Sequence, residues 1–202
     1  MRVSKEKAAE HRQEILSAAA RLFREQGIAA TGVDSITEAA GLTHGAVYSQ
    51  FGSKENITIE SIRLALKDSE RTWQWALKHR GERTILGSIV ETYLSRRHRD
   101  APGNGCVVAT LAGDISRQPK TVRDAFTAEF KESLHSLTDL AAGDDPSIDQ
   151  ESIVAVFASM AGAMMLARAV SDEALSETIL KATSKLITDC TKSKRRPKRA
   201  HS

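Results

Sequence analysis

The chain has 202 residues, of which 41% are hydrophobic and 27% charged, which is typical of a globular protein and excludes a disordered one. It holds 28 alanines but only 12 glycines and 4 prolines, and 4% of its residues are aromatic. Because alanine is the strongest helix former and long β-branched or aromatic runs are absent, this composition predicts an all-α fold rather than a sandwich or barrel.

The net charge of +3 comes from the C-terminal end of the chain. Six of the 29 basic residues follow Asp189 with no acidic residue among them, which leaves 23 basic against 26 acidic residues in the body. We therefore predict a basic, disordered tail over residues 192–202. Two interpretations stay open: the tail attracts phosphate groups weakly in a salt-dependent way, or it only keeps the chain soluble.

Several other classes of protein lack support in the sequence. Cys106 and Cys190 show neither zinc-site nor disulfide-framework spacing, and the charged start has no apolar signal-peptide segment. The longest uncharged run, residues 152–167, is shorter than the roughly 20 residues that span a bilayer. No hydrolase, phosphate-loop, zinc-protease or dinucleotide fingerprint occurs. We expect a cytoplasmic non-enzyme with no membrane contact, no metal and no cofactor.

Glycine and proline positions divide the chain into a series of helices. We predict helices over residues 4–26, 33–40, 43–51 and 53–79, followed by four or five longer ones, or about nine in all. The first three are short enough to form a small module of their own. The predicted organisation is a three-helix module (1–55), a larger helical domain (56–191) and the basic tail (192–202).

Residues 33–51 fit a helix-turn-helix on physical grounds. Gly41 can adopt the positive φ of the sharp turn, and Thr43 is a good N-cap for the second helix. Val47 and Phe51 give that helix a buried edge, because they follow Thr43 at intervals of four residues. The opposite face carries short or polar residues that suit a DNA major groove. Spacing alone leaves a plain helical hairpin within a bundle as the alternative.

A resemblance to a known family bears on this choice. Residues 11–60 resemble the N-terminal DNA-binding module of the TetR (tetracycline repressor) family of bacterial transcriptional regulators. The matching residues include Ile15, Leu22, Phe23, Gly27, Thr31, Ile36, Gly41, Leu42, Thr43, Val47, Tyr48, Phe51 and Lys54. The resemblance implies a homodimer that binds palindromic, double-stranded operator DNA and carries a larger domain for a small-molecule inducer.

The same resemblance implies DNA contacts at eight positions. They are Thr31, Thr43, His44, Gly45, Ala46, Tyr48, Ser49 and Lys54. Thr31 and Lys54 match phosphate contacts, and Tyr48 matches an aromatic that touches a phosphate or a base. His44 is either a DNA contact or a solvated surface histidine. One departure is Thr37, which stands where the family usually has alanine; its hydroxyl either bonds back to the Val33 carbonyl or shifts the helix crossing.

The charge of the module is balanced, with seven basic and seven acidic residues over 1–55. This balance predicts modest non-specific affinity for DNA, so that specificity depends on placed contacts and on two modules acting together.

The segment 152–170 is apolar nearly all round, so it must be covered on most faces. Small residues along it allow another helix to approach closely. The resemblance implies that this helix and the last one form a four-helix dimer interface. Its predicted residues are Ala158, Gly162, Ala163, Leu175, Ile179 and Leu186. The alternative is the core helix of a monomer.

The inducer is not identified by the sequence, and its pocket is harder to place. The candidates are Trp73, Tyr93, Cys106, Phe126, His135 and Met164, each of which is also explained by core packing. Cys106 begins a helix after the basic stretch 96–99, so a thiol that senses electrophiles is a further hypothesis. A protein that kept the fold for protein interactions and lost its DNA role is another.

Overall fold

A computed structural model describes residues 5–194, with side chains described through Cys190. Its helices are α1 (Lys5–Gln26), α2 (Val33–Ala40), α3 (His44–Phe51), α4 (Lys54–Lys78), α5 (Ile85–Tyr93), α6 (Arg96–Asp100), α7 (Val107–Ile115), α8 (Lys120–Ala142), α9 (Gln150–Ala169) and α10 (Glu173–Lys194). A 3₁₀ turn, Pro102–Asn104, precedes α7. No strand occurs over residues 5–194. The all-α prediction is therefore confirmed, with ten α-helices in this range instead of about nine.

The predicted tail, residues 192–202, lies outside the described residues apart from the backbone of 192–194, which continues α10.

The chain forms two compact units, and neither is continuous in sequence. The first unit joins the residues up to Ser69 with Pro102–Lys131, and the second joins Glu70–Ala101 with the residues from Glu132 onward. Helices α4 and α8 each contribute to both units. The two compact units thus divide the chain at other positions than the functional boundary predicted at residue 55. That boundary stays a prediction.

The core of the first unit is built around one face of α1. Ile15, Ala19 and Phe23 are each at most 1% exposed, as their helical spacing predicted. Apolar residues of α2, α3, α4 and α7 complete the same core, among them Ile36, Val47, Phe51, Ile57, Ile62, Val107, Leu111 and Ile115. Burying one such large side chain contributes roughly 1.5–3 kcal/mol, so these short helices depend on a shared core.

The end of α1 is attached to the segment that leads into and through α7. The Arg24 Nε donates to the carbonyl oxygen of Gly103 at 2.7 Å, and burial lowers the pKa of Arg24. The Asp114 carboxylate accepts the backbone N–H of Ile28 at 3.0 Å. Gly27 ends α1 with a φ of +88°. These contacts fix the turn that precedes α2.

In the second unit, α9 packs on α10 and α6 is tied to both. The Arg99 guanidinium donates to the Ser176 hydroxyl and the Glu173 carboxylate, each at 2.9 Å. Arg168 on α9 donates to the backbone carbonyls of His98 and Arg99 at 2.6 and 3.0 Å. Because these carbonyls lie near the end of α6, Arg168 satisfies acceptors that the short helix leaves open.

We expect Gly27→Ala to lower the free energy of unfolding by about 1–3 kcal/mol, because a side chain at this φ is strained. A Cβ there would also lie 2.8 Å from the Asp114 Oδ2. Gly113→Ala is the matched control: it lies inside α7, and no atom lies within 4 Å of the position that its new methyl group would occupy. This control should gain about 0.5–1 kcal/mol from helix propensity. Urea unfolding measures both, and equal stabilities for the two variants would contradict the argument.

Candidate nucleic-acid interface

The turn between α2 and α3 depends on Gly41. Its φ of 65° and ψ of 28° place it in the left-handed region, and its N–H donates to the Glu38 carbonyl oxygen at 3.0 Å. The N–H of Leu42 donates to the carbonyl oxygen of Thr37 at 3.1 Å. Such a pair of bonds closes the end of a helix and turns the chain sharply. A side chain at Gly41 would have room, since nothing lies within 4 Å of a Cβ built there. Glycine is therefore favoured by the left-handed backbone and not by lack of space.

Thr37 takes the first of the two conformations considered from the sequence. Its hydroxyl donates to the carbonyl oxygen of Val33 at 2.7 Å, and the residue is buried. The hydroxyl is therefore satisfied inside α2 at the crossing with its neighbours.

Helix α3 is capped at its start and buried along one edge. Thr43 has an extended backbone and its Oγ1 accepts the N–H of Ala46, although the distance of 3.4 Å makes this a long bond. Val47 and Phe51 are 0% and 4% exposed and lie in the core of the first unit. Since one edge is fixed by the core, the opposite face is presented outward.

The outward face of α3 contains the residues predicted to contact DNA. Tyr48 is 44% exposed, and Gly45 and Ser49 are also exposed. The His44 ring lies 4.9 Å from that of Tyr48, and its Nε2 is 3.0 Å from the Asp34 Oδ1. The exposed face is therefore short, polar and free of large apolar side chains other than Tyr48, as a helix in a major groove requires.

The start of α4 forms the second part of the candidate surface. Gly52 has a φ of 72° and separates α3 from α4. The Ser53 hydroxyl accepts the N–H of Asn56 at 3.1 Å, and the Asn56 amide donates to the Phe51 carbonyl oxygen at 2.8 Å. Lys54 is the first residue of α4. Its ammonium group and the positive end of the helix dipole both favour an anion there.

The structure corrects the expected role of Thr31. Its side chain is completely buried, and its hydroxyl donates to the carbonyl oxygen of Gly27 at 2.8 Å. The hydroxyl therefore braces the turn between α1 and α2, and it does not reach a surface phosphate.

The six residues predicted to line an inducer pocket are divided between the two units. Cys106 and Phe126 belong to the first unit, and the other four belong to the second. Trp73 and Met164 are buried. His135 contradicts the prediction, because its side chain is 67% exposed and lies 3.7 Å from the Asp139 carboxylate.

The remaining candidates lie in apolar surroundings. Phe126 stacks on Phe130, with ring centroids 5.4 Å apart, against the core of the first unit. Cys106 immediately precedes α7 and is only 7% exposed. Its burial limits how easily a reagent could reach the thiol. The thiol-sensor hypothesis stays a prediction.

The Tyr93 ring packs against His98, which belongs to the basic stretch 96–99 named beside Cys106 in the sequence. The Tyr93 ring meets those of His98 and Phe157 edge-on, at centroid distances of 4.6 and 6.1 Å. Burial lowers the pKa of His98 to about 4, and its Nδ1 lies 2.7 Å from the Tyr93 carbonyl oxygen. The His98 ring is therefore neutral at pH 7 and belongs to an aromatic cluster of the second unit.

A shallow groove of about 430 Å³ lies on the second unit, where α5 meets α10. It is lined by Glu91, Leu94, Leu180, Lys181, Ser184, Lys185, Thr188 and Asp189. None of the six predicted pocket residues is among them.

Helices α9 and α10 leave an apolar face exposed. Its large members are Val154, Met165, Leu166, Leu175 and Leu186, all at least 44% exposed. Of the residues predicted for a dimer interface, Ala158 is exposed, and Gly162 and Ile179 are half-buried. Ala163 differs, because it is 5% exposed and faces the core of its own unit.

Helix α9 is long and apolar enough to cross a membrane by length and composition alone, with a mean hydropathy of 1.6. Core and interface helices of soluble proteins pass the same test. A third of the most apolar stretch of α9 is buried within the chain.

Residues 15–60 match the family model of the bacterial regulatory proteins of the tetR family. The HTH-type transcriptional regulator AcrR of Shigella flexneri is 34% identical over 104 residues, which is 48% of each chain. The HTH-type transcriptional repressor KstR2 of Rhodococcus jostii is 46% identical over 57 residues, which is 28% of each chain. The matches thus span about half, or less, of the length of these relatives.

Solved structures extend the likeness beyond the first module. The reduced form of NemR from E. coli has a TM-score of 0.72 at 17% identity, covering 89% of this chain and 95% of that one. A TetR-family regulator from Agrobacterium tumefaciens has a TM-score of 0.72 at 19% identity, covering 91% and 98%. At these identities the likeness shows the fold. Together with the geometry of α2 and α3, these findings show a helix-turn-helix module of the tetR family at residues 15–60, in a chain whose fold is similar to that of a solved TetR-family regulator.

Proposed function

We propose that this chain is a cytoplasmic, homodimeric transcriptional repressor that binds a palindromic operator through α3 and is released by a small-molecule ligand. The observation that carries the proposal is the outward face of α3, which is exposed to solvent while Val47 and Phe51 anchor the other edge. The names of AcrR and KstR2, a transcriptional regulator and a transcriptional repressor, support it.

The dimensions of α3 suit direct contact with base edges. An α-helix with its side chains is about 10–12 Å across, which is about the width of the major groove, so α3 can lie in that groove. Gly45 has nothing within 4 Å of a possible Cβ, so the backbone can approach the bases closely at that point. Thr43, His44 and Ser49 supply hydrogen-bonding groups for the bases, and Tyr48 and Lys54 contact the backbone phosphates.

The apolar face of α9 and α10 supports pairing with a second copy. On α9, the residues opposite the buried side are almost all apolar, from Val154 through Ala158 and Gly162 to Met165. On α10, Leu175, Ile179, Ala182 and Leu186 follow one another at helical spacing. A two-fold axis through this face would pair the same surface of both copies.

The two modules of such a dimer read half-sites in successive major grooves. Productive binding requires the two α3 helices to lie about 34–36 Å apart. We infer that a ligand in the larger domain favours a state with a different separation, so that ligand and operator binding oppose each other.

We expect Tyr48→Ala and Lys54→Ala each to weaken operator binding about tenfold, because each removes one backbone contact. The loss of the Lys54 charge should also lower the slope of log affinity against log salt by about one. Fluorescence anisotropy with a duplex selected from genomic fragments by the unaltered protein measures both. Lys78→Ala is the control, since Lys78 ends the same helix about 36 Å away. Unchanged affinity in both test variants would contradict the proposed surface.

We expect Leu186→Glu and Gly162→Leu to convert the dimer to monomers, raising the dissociation constant of the dimer about a hundredfold or more. The first buries a charge, and the second adds bulk where the isolated chain has open space. Light scattering coupled to size-exclusion chromatography measures the mass. Lys181→Glu places the same acidic side chain on a different side of α10, so this control should stay dimeric. A monomeric unaltered protein, or dimeric test variants, would overturn the interface.

A further inference from the structure

Arg12 lies in the first half of α1 and contacts both helices that form the candidate DNA surface, α3 and α4. Its Nη1 donates to the backbone carbonyl oxygen of Gln50 at 2.9 Å, and its Nη2 lies 2.5 Å from the Glu60 carboxylate. The guanidinium carbon lies 4.3 Å from the centroid of the Phe51 ring. In return, the Gln50 side chain donates to the carbonyl oxygen of Ala8 at 3.0 Å.

These contacts meet the end of α3, where the helix cannot satisfy its own acceptors. Gln50 and Phe51 are the last two residues of α3, so no backbone N–H of that helix reaches their carbonyl oxygens. The Asn56 amide donates to the carbonyl oxygen of Phe51, and Arg12 donates to that of Gln50. The Arg12 guanidinium pairs with the Gln50 carbonyl and stacks on the Phe51 ring at this end of α3. Its positive charge is also attracted by the negative end of the helix dipole. One side chain of α1 therefore restrains the tilt and rotation of α3.

The charge of Arg12 is already balanced by a carboxylate of the same chain. Glu60 lies on α4, and its oxygens receive the Nη2 of Arg12. The Arg12 side chain is 36% exposed and that of Glu60 29%. A planar, forked guanidinium can hold the Gln50 carbonyl and the carboxylate together, whereas a lysine ammonium cannot reproduce this fork.

We propose that Arg12 is a positioning residue for sequence recognition, acting through α3, and that it does not neutralise a DNA phosphate. The proposal rests on the proposed function. Because the orientation of α3 determines which base edges its residues reach, losing Arg12 should affect the cognate operator and leave general affinity for DNA unchanged. A phosphate contact would have the opposite signature, with equal losses on all sequences and a lower salt dependence.

The test compares Arg12→Ala, Arg12→Lys and Glu60→Gln with the unaltered dimer. Affinities are measured over a range of salt concentrations, for a duplex selected by the unaltered protein and for a scrambled duplex of equal length. We expect Arg12→Ala to weaken operator binding about tenfold or more while scrambled-duplex affinity and the salt slope stay unchanged. Arg12→Lys should reproduce most of this loss, because the charge remains but the fork does not.

Glu60→Gln separates the two roles most sharply, since it removes no positive charge. Because Glu60→Gln also removes one negative charge, general affinity for both duplexes rises under either role. A positioning role predicts a lower ratio of operator to scrambled-duplex affinity, whereas a phosphate role leaves that ratio unchanged. Rescue by lysine, equal losses on both duplexes, or an unchanged ratio in Glu60→Gln would each overturn the proposal. If Arg12→Ala does not fold, the other two variants still decide. An unaltered protein with no sequence preference would instead refute the proposed function.

Discussion

The structure of the candidate DNA surface depends on the burial of one edge of α3. A helix of eight residues is too short to be stable in water, because nucleating a helix costs more than so few hydrogen bonds return. Val47 and Phe51 fix it to a core shared with α1, α2 and α4. The exposed residues of α3 take no part in that core, which leaves their side chains and the bare backbone at Gly45 at the surface.

This core extends to residues far along the chain. The carbonyl of Gly103 and the carboxylate of Asp114 attach the segment before and within α7 to the end of α1. The turn that follows α1 is also braced from inside by the Thr31 hydroxyl. The part of the chain that holds α3 in place is thus larger than the first 55 residues, and 102–131 belongs to the same compact unit.

Local signals in the sequence predicted the elements well and the long-range contacts poorly. Gly27, Gly41 and Gly52 end helices with positive φ, so the bounds of α1 to α3 could be predicted to within a residue. The burial of Thr31 and Ala163 and the exposure of His135 depend on which side of each element meets the core. Short patterns around those residues do not determine that side.

Arg12 illustrates the same limit, because its partners Gln50 and Glu60 lie 38 and 48 residues away. From the sequence alone, Arg12 counts as a positive charge that could attract DNA, whereas in the fold it pairs with Glu60. The short α6 was absent from the prediction for a related reason: Arg99 and Arg168 hold it through tertiary contacts.

The apolar outer face of α9 and α10 has a consequence for how the proposed repressor would respond to its own abundance. If operator binding requires two copies joined through this face, the active species grows with the square of the protomer concentration wherever single copies predominate. A twofold change in synthesis or in dilution by cell growth would then alter promoter occupancy about fourfold, independently of any ligand.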